Sequence, residues 1–149
     1  MSDGLDVIVV DDDPMMCELL TEMIGEFYTW GKVIAFSDAE EAASYCRDRE
    51  TGVAIFVLDV YLTDTTGFNF LDAIVDQFPM APQDTIIMTG LASDDVVDMC
   101  VASDITHLLE KPIRPYALQL AIRSIVTKYI RFAKRLLVDP SFAENVARV

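Results

Sequence analysis

The fold is decided by residues 7–14, which read VIVVDDDP. Four β-branched apolar residues in a row are typical of a strand that is buried on both faces of a parallel sheet. The aspartates end that run, and Asp13 before Pro14 is typical of a helix start, with Asp13 as the N-cap and proline at the first helical position. The stretch therefore predicts a strand, an acidic loop and a helix in immediate succession.

The same alternation continues along the chain. Strands are predicted at 6–10, 32–36, 54–58, 85–88 and 107–109. Apolar residues at helical spacing lie between them; Ser37 and Glu40 form a predicted capping box for the second helix, and Pro79 is expected to end the third. Five strands alternating with five helices predict an α/β fold, an open, doubly wound parallel sheet. Every loop that leads from a strand to a helix is then expected at one edge of the sheet.

The composition excludes several classes of protein. A chain of 149 residues that is 52% apolar suits one domain with a core. A net charge of −14 argues against direct binding to nucleic acid. The charge is uneven, because residues 1–110 hold 23 of the 25 acids and residues 111–135 hold seven of the 11 basic residues. The predicted last helix is therefore basic, and its charge helps to choose a partner surface if it does not simply face solvent.

Several absences point to the cytoplasm. The longest apolar runs are too short to cross a bilayer, and the first residues lack the basic and apolar regions of a signal peptide. Cys17, Cys46 and Cys100 are odd in number and form no CxxC pair, which fits reduced thiols in a core. His107 is the only histidine, which argues against a structural zinc site. We expect a cytoplasmic protein that contacts no membrane.

The predicted last helix has more apolar positions than one domain needs. These positions recur at 4-3-4-3 spacing, as in a coiled-coil seam: Leu118, Ile122, Ile125, Tyr129, Phe132 and Leu136. Packing on the chain's own sheet explains the positions up to about Tyr129, and Asp139–Pro140 is expected to end the helix. We predict a domain over residues 1–128. Residues 129–149 are then a C-terminal helical extension, which pairs with a partner, or the start of a linker to an output domain.

Polar residues follow four of the predicted strands where each strand ends. The acids Asp11 and Asp12 follow the first strand, Asp59 follows the third, and the pairs Thr89–Gly90 and Lys111–Pro112 follow the fourth and fifth. An acid in a loop is usually only solvated. Because the carboxyl ends of parallel strands meet at one edge, however, we expect these side chains to share one crevice.

The chemistry of that crevice follows from its charges. Two like charges at 4 Å near a protein surface repel by about 4 kcal/mol, so three close carboxylates need a cation. Oxygen ligands of this kind suit Mg²⁺, which prefers one or two carboxylates with water and phosphoryl oxygens. Lys111 adds an ammonium and Thr89 a hydroxyl, and backbone N–H groups of Val60 and Gly90 are expected to help. The set fits phosphoryl transfer to a carboxylate, which forms an acyl phosphate.

These residues resemble the receiver domain of two-component response regulators over residues 5–126. The resemblance implies a flavodoxin-like strand order of 2-1-3-4-5. It also implies that Asp59 accepts the phosphoryl group, assisted by Thr89 and Lys111, whose bond to Pro112 is often cis in such domains. Mg²⁺ or Mn²⁺ would be held by the carboxylates of Asp11, Asp12 and Asp59 and by the backbone carbonyl of Tyr61.

The resemblance implies partners as well. The phosphoryl donor would be a histidine kinase or a phosphotransfer protein, and the product would control an output partner by a change of conformation. A homodimer through helix 4, strand 5 and helix 5 is implied by analogy, with the seam of the C-terminal helix as separate support. The expected reactions are self-phosphorylation from a donor and slow autodephosphorylation, without turnover as an enzyme.

The chain departs from the family pattern at three places. Leu108 stands three residues before the lysine, where the family commonly has an aromatic switch residue. The loop after Asp59, which usually contains a proline, reads Tyr61-Leu62-Thr63, although Gly67 still offers a turn. Tyr61 and Leu91, two residues beyond Asp59 and Thr89, are bulky beside the expected water path. We therefore predict a phosphoaspartate that hydrolyses slowly, with Leu108, Tyr61, Gly90 and Leu91 as the switch and tuning positions.

Two other interpretations stay open. A pseudo-receiver would bind its partner without being phosphorylated. A phosphatase similar to the haloacid dehalogenase superfamily would use Asp11-Asp12-Asp13 as its DxD motif, with Thr89 and Lys111 in later motifs. That superfamily also needs acidic metal ligands after the lysine, and only Asp139 and Glu144 follow Lys111. No Walker A or GxGxxG sequence supports nucleotide binding.

Overall fold

A computed structural model describes residues 4–50 and 52–147, and its main feature is a five-stranded parallel sheet. The described residues form seven strands: β1 (Val7–Val10), β2 (Val33–Phe36), β3 (Ile55–Asp59), β4 (Tyr61–Leu62), β5 (Thr65–Thr66), β6 (Thr85–Thr89) and β7 (His107–Glu110). The sheet order is β2-β1-β3-β6-β7, and all its pairs are parallel. The predicted order of 2-1-3-4-5 is confirmed, since β6 and β7 are the fourth and fifth strands of this sheet.

The two short strands β4 and β5 were not predicted. They pair antiparallel, Tyr61 with Thr66 and Leu62 with Thr65, and form a hairpin directly after β3. Its two-residue turn contains Asp64 in the left-handed region, at φ 65°, which aspartate tolerates better than most residues. The expected loop after Asp59 is thus an ordered hairpin.

Six helices accompany the sheet: α1 (Pro14–Gly25), α2 (Ala39–Arg47), α3 (Gly67–Ile74), α4 (Asp94–Ala102), α5 (Pro115–Val138) and α6 (Pro140–Ala147). A short 3₁₀ turn, Pro82–Asp84, precedes β6. The predicted start of α1 is confirmed, because the Asp13 carboxylate accepts a hydrogen bond from the Met15 N–H at 3.0 Å and Pro14 is the first helical residue. None of the helices in the described chain is long and apolar enough to span a membrane.

Two predictions about helix ends were wrong, and one helix was missed. Asp38, not Ser37, caps α2, since its carboxylate accepts from the Glu40 N–H at 3.0 Å. Helix α3 ends at Ile74 rather than at Pro79, because the chain turns there and the Phe78 N–H returns to the Ile74 carbonyl at 3.0 Å. Pro140 ends α5 as expected but also opens the unpredicted α6, since proline is well suited to the first helical position.

Each face of the sheet carries its own apolar core. On one face, α1 and α5 bury Leu20, Ile24, Leu118 and Ile122 against alternate residues of β1, β3 and β6. On the other face, α2, α3 and α4 supply the side chains that pack on the remaining strand residues: Ala42, Cys46, Leu71, Ile74, Val96 and Cys100. The three cysteines are buried and form no disulfide. Burial raises the pKa of the Cys46 thiol to about 11.

Contacts within the chain cover the apolar seam of α5 as far as Tyr129, whereas Phe132 stays 44% exposed. Leu118, Ile122 and Ile125 lie in the core, and the Phe132 ring meets the Phe142 ring of α6 with centroids 5.6 Å apart. Between them, the Tyr129 hydroxyl and the Lys128 ammonium both donate to the Asp84 carboxylate, which is completely buried. The middle of α5 is therefore attached to the edge of the sheet where β6 begins.

Candidate functional site

The predicted site residues Asp11, Asp59 and Lys111 meet at the carboxyl edge of the sheet. Asp11 follows β1 and is 1% exposed, and Asp59 ends β3 and is 9% exposed. The Lys111 Nζ lies 2.9 Å from an oxygen of each carboxylate and donates a hydrogen bond to both. Residues that are 52 and 100 positions from Lys111 in sequence are thus joined by one ammonium group.

The backbone fixes these side chains before any ligand arrives. The parallel register places the ends of β1, β3, β6 and β7 side by side. The Lys111 N–H continues the ladder to the Thr89 carbonyl at 2.7 Å, and the Lys111–Pro112 peptide is cis. The Asp13 N–H donates to the Asp11 carboxylate at 3.0 Å. The acids and the lysine are therefore held by the sheet and its first turns rather than by mobile loops.

The charge state of Lys111 follows from its neighbours. Burial alone lowers the pKa of its ammonium, but the hydrogen bonds and negative charges of Asp11 and Asp59 outweigh that effect and raise the pKa above its ordinary value. The side chain is consequently a permanent cation near neutral pH. It offsets part of the repulsion between the two buried carboxylates.

Asp12 completes an acidic cluster that fits a metal ion. One carboxylate oxygen from each of Asp11, Asp12 and Asp59 lies within 4.8 Å of the others, and Asp12 is exposed to solvent. The donors are all oxygen atoms, which hard divalent cations such as Mg²⁺ prefer, and solvent access leaves room for the waters that Mg²⁺ keeps. The residues present therefore fit Mg²⁺. The Asp12 carboxylate also accepts a hydrogen bond from the Thr63 hydroxyl at 2.9 Å.

The hairpin β4–β5 forms one wall beside Asp59. The Tyr61 N–H points to the Asp59 carboxylate at a long 3.4 Å, and the Tyr61 side chain is 64% exposed. At the base of the hairpin the Gly67 N–H donates to the Val60 carbonyl at 2.9 Å. A Cβ at Gly67 would lie 2.6 Å from the Asp59 carbonyl oxygen, so only glycine permits this close approach. The expected role of the Val60 N–H is wrong for this structure, because it donates to the Met88 carbonyl.

Thr89 lies at the end of β6, next to the strand that carries Asp59, but its hydroxyl bonds to the Leu91 backbone. Thr89 is completely buried, and its hydroxyl donates to the Leu91 carbonyl at 3.0 Å and accepts from the Leu91 N–H at 3.2 Å. Gly90 is exposed, and the Leu91 side chain is 73% exposed at the rim. Leu108 is half-buried and packs against the core that lies under α2, α3 and α4. The hydroxyl thus shapes the loop after β6 in this conformation.

Two polar contacts of the site were not predicted. Thr63 reaches Asp12 only because the hairpin folds, and the sequence pattern of a loop without proline gave no sign of pairing. Glu110 ends β7, and its carboxylate accepts from the Ala92 N–H at 3.0 Å, which ties the loop after β6 to the neighbouring strand. The position of Glu110 directly before Lys111 is the sequence feature that could have predicted its place near the site.

Comparison with known proteins gives a consistent result. The chain matches the family model of the response regulator receiver domain over residues 7–123. It is 22% identical over 143 residues to the transcriptional regulatory protein CitT of Halalkalibacterium halodurans, and 31% identical over 125 residues to the two-component response regulator ARR2 of Arabidopsis thaliana. The matches cover 96% and 84% of this chain but only 61% of CitT and 18% of ARR2.

Solved structures match the same region. The fold is similar to the solution structure of the beryllofluoride-activated NtrC4 receiver domain dimer, with a TM-score of 0.70 and 27% sequence identity. That match covers 83% of this chain and 98% of the NtrC4 chain. The similarity therefore extends over nearly the whole of a receiver domain.

Proposed function

This chain belongs to the response regulator receiver domain family, and from that premise we propose that it accepts a phosphoryl group on Asp59. The observation that carries the proposal is the meeting of Asp59 with Asp11, Asp12 and Lys111 at one edge of the sheet. Receiver domains are signalling domains, so the product is a change of conformation rather than a released metabolite.

The donor that we propose is the phosphohistidine of a histidine kinase or of a phosphotransfer protein. An Asp59 carboxylate oxygen forms a bond to phosphorus as the bond from phosphorus to the imidazole nitrogen breaks. The imidazole keeps the electron pair of that bond and takes up a proton. The protein's part is to position the carboxylate and to neutralise charge, which supply most of the catalysis in phosphoryl transfer.

We propose that Mg²⁺, or Mn²⁺ in its place, is held by Asp11, Asp12, Asp59 and the backbone carbonyl of Tyr61. The ion would supply positive charge to the phosphoryl oxygens when it is bound. Lys111 already has its ammonium 2.9 Å from Asp59, which is within reach of an oxygen of the new phosphoryl group. Its bond to Asp11 can remain in place.

Thr89 and Leu108 supply the proposed conformational switch. The Thr89 hydroxyl would exchange its bonds to the Leu91 backbone for one to a phosphoryl oxygen, which would release the loop after β6. Leu108 lies on β7, which pairs with β6. A branched aliphatic side chain can repack there without the rotation of an aromatic ring. The proposal places the difference between the two states in this loop, α4 and β7.

The proposed domain covers residues 1–128, with residues 129–149 as a helical extension or the start of a linker. Support comes from the family match to residue 123 and from the bond between Lys128, at the proposed boundary, and Asp84 at the edge of the sheet. We place the exchange in the cytoplasm, where buried thiols such as those here stay reduced. A net charge of −14 favours a protein partner over direct contact with nucleic acid.

The proposal is tested by intact-mass spectrometry after incubation with acetyl phosphate and Mg²⁺. We expect the wild-type chain to gain the mass of one phosphoryl group and Asp59→Asn to gain none, because the amide is not a nucleophile of this kind. Asp64→Asn is the matched control, since Asp64 lies in the hairpin turn outside the acidic cluster. Equal labelling of wild type and Asp59→Asn would refute the assignment.

Two further outcomes would favour the other interpretations. A chain that gains no phosphate and whose NMR spectrum does not shift with beryllofluoride and Mg²⁺ would be a pseudo-receiver. Sustained turnover of p-nitrophenyl phosphate that is lost in Asp11→Asn would indicate a phosphatase instead.

A further inference from the structure

The hairpin β4–β5 contacts the acidic cluster through the Thr63 side chain, in addition to the long contact from the Tyr61 N–H to Asp59. The Thr63 hydroxyl donates to the Asp12 Oδ2 at 2.9 Å, and both residues are exposed. The contact joins positions that are 51 residues apart. Because it depends on both the turn of the hairpin and the loop after β1, it is a property of the fold and not of local sequence.

Thr63 is held in place by the elements around it. The pairs Tyr61 with Thr66 and Leu62 with Thr65 fix the two strands, and Leu62 is buried. At the other end of the hairpin, the Thr66 hydroxyl accepts from the Asn69 N–H at 3.1 Å and caps α3. The turn that presents Thr63 is therefore anchored to the end of β3, where Asp59 lies.

Asp12 differs from its two neighbours in how it is held. Asp11 and Asp59 are buried and share the Lys111 ammonium, whereas Asp12 is exposed. Within residues 4–50 and 52–147, the hydrogen bond recorded for the Asp12 side chain is the one from Thr63. An exposed aspartate without such a bond samples several rotamers, and fixing one of them has an entropic cost that ion binding would otherwise bear.

We propose that Thr63 is a positioning residue for metal binding. Its hydroxyl donates to Asp12 Oδ2 and would hold this carboxylate in one orientation beside Asp11 and Asp59. The inference rests on the proposed function, because the ion is the one that phosphorylation needs. Thr63 does not touch the reacting atoms, so it acts on the affinity for the ion and not on the transfer step.

The effect of losing the hydroxyl can be bounded. A hydrogen bond that is exposed to water contributes about 0.5–1.5 kcal/mol, which corresponds to about a 2–10-fold change in an equilibrium constant. We therefore expect Thr63→Val, which keeps the shape and the β-branch, to weaken binding of the ion by a factor in that range. Thr63→Ser keeps the hydroxyl and should bind like the wild type.

The test is a titration of the unphosphorylated full chain with Mn²⁺, with free ion followed by electron paramagnetic resonance. The series contains wild type, Thr63→Val, Thr63→Ser and Thr65→Val, where Thr65→Val makes the same replacement on β5, directly after the turn. We expect only Thr63→Val to bind more weakly. Thermal melting of each variant without metal checks that the hairpin change has not unfolded the domain.

A second measurement separates positioning from a role in the chemistry. In Thr63→Val, the rate of phosphorylation by acetyl phosphate should equal the wild-type rate at saturating Mn²⁺ and fall below it at low Mn²⁺. Wild-type affinity in Thr63→Val, or a loss in Thr63→Ser as large as in Thr63→Val, would overturn the role of Thr63 alone. A wild-type chain that binds no Mn²⁺ would overturn the proposed metal site and this inference with it.

Discussion

Tyr61 and Leu91 are the residues from which we predict the lifetime of the phosphorylated state. Both are bulky, they stand two positions after Asp59 and Thr89, and their side chains are 64% and 73% exposed at the rim of the site. We expect side chains in that position to hinder the approach of a water molecule to phosphorus. We expect the phosphorylated chain to persist for far longer than seconds, and Leu91→Ala to shorten its half-life several-fold.

The measurement is the decay of the phosphorylated mass after the donor has been removed, with Mg²⁺ present. Leu137→Ala is the matched control, because Leu137 is 85% exposed near the end of α5 and outside the site. A wild-type half-life of seconds, or an unchanged one in Leu91→Ala, would show that these side chains do not shield the site.

At the residue scale, the sequence located the groups but not their partners. Asp11, Asp59 and Lys111 were predictable, because each follows a buried strand and the ends of parallel strands meet. The bonds of Thr89 to Leu91 and of Thr63 to Asp12 were not, because a hydroxyl rotates freely and its partner depends on the exact path of a loop.

Helix α5 provides a prediction at the scale of elements. The Asp84 carboxylate is completely buried and receives hydrogen bonds from Lys128 and Tyr129. Lys128→Met removes the cation and leaves a buried carboxylate with one donor. We expect the free energy of unfolding to fall by about 2 kcal/mol, as measured by urea denaturation. Lys134→Met on the exposed side of the same helix should change it little.

His107 gives that variant a second readout. Burial lowers the pKa of its imidazole, the Lys128 charge lowers it further, and Asp84 acts in the opposite direction. Removing the Lys128 charge should therefore raise the pKa of His107 in Lys128→Met, and the NMR titration of this single histidine measures the change. A pKa that stays the same or falls would show that Lys128 does not face the carboxylate and the imidazole as described.

Elements with a strong apolar pattern were predicted more accurately than short ones. The five sheet strands and the start of α1 follow from buried runs and from Asp13–Pro14. The hairpin strands and α6 are short, and Pro140 was interpreted only as an end because proline stops one helix as readily as it starts another. Their formation depends on packing against α3 and α5, which local sequence does not encode.

The whole molecule carries an exposed apolar face on α4 and α5. Its exposed apolar side chains include Val97, Val101, Tyr116 and Leu120, which are 45%, 71%, 85% and 70% exposed. With the acidic first turn of α4 and the basic α5, it is the surface on which we predict a homodimer after activation. We expect beryllofluoride with Mg²⁺ to produce a dimer in light scattering, and Val101→Asp to prevent it.

Val138→Asp is the control for that substitution, because Val138 is 78% exposed at the end of α5 and away from the α4 face. A dimer that survives Val101→Asp but is lost in Val138→Asp would move the interface to the C-terminal helix. A monomer under all conditions would contradict the predicted homodimer.

At this scale the alternation of strands and helices was sufficient for the fold class, and the resemblance supplied the strand order. The surface against which the apolar seam of α5 packs was not predictable from the sequence. The 4-3-4-3 spacing is the same whether a helix faces its own sheet, a following helix or another chain, so the spacing alone does not identify the surface that the helix covers.

The attachment of α5 at Asp84 has a mechanical consequence. The helix starts at the edge of the sheet where Asp59 lies, is attached through Lys128 and Tyr129 to Asp84 at the opposite edge, and continues for nine residues beyond that point. A rigid helix held at Lys128 and Tyr129 would pivot about that point. A small tilt at Pro115 would then move Val138 in the opposite direction. Phosphorylation would thus be transmitted to the far side of the domain as a movement of α5, although no group on that side contacts the phosphate.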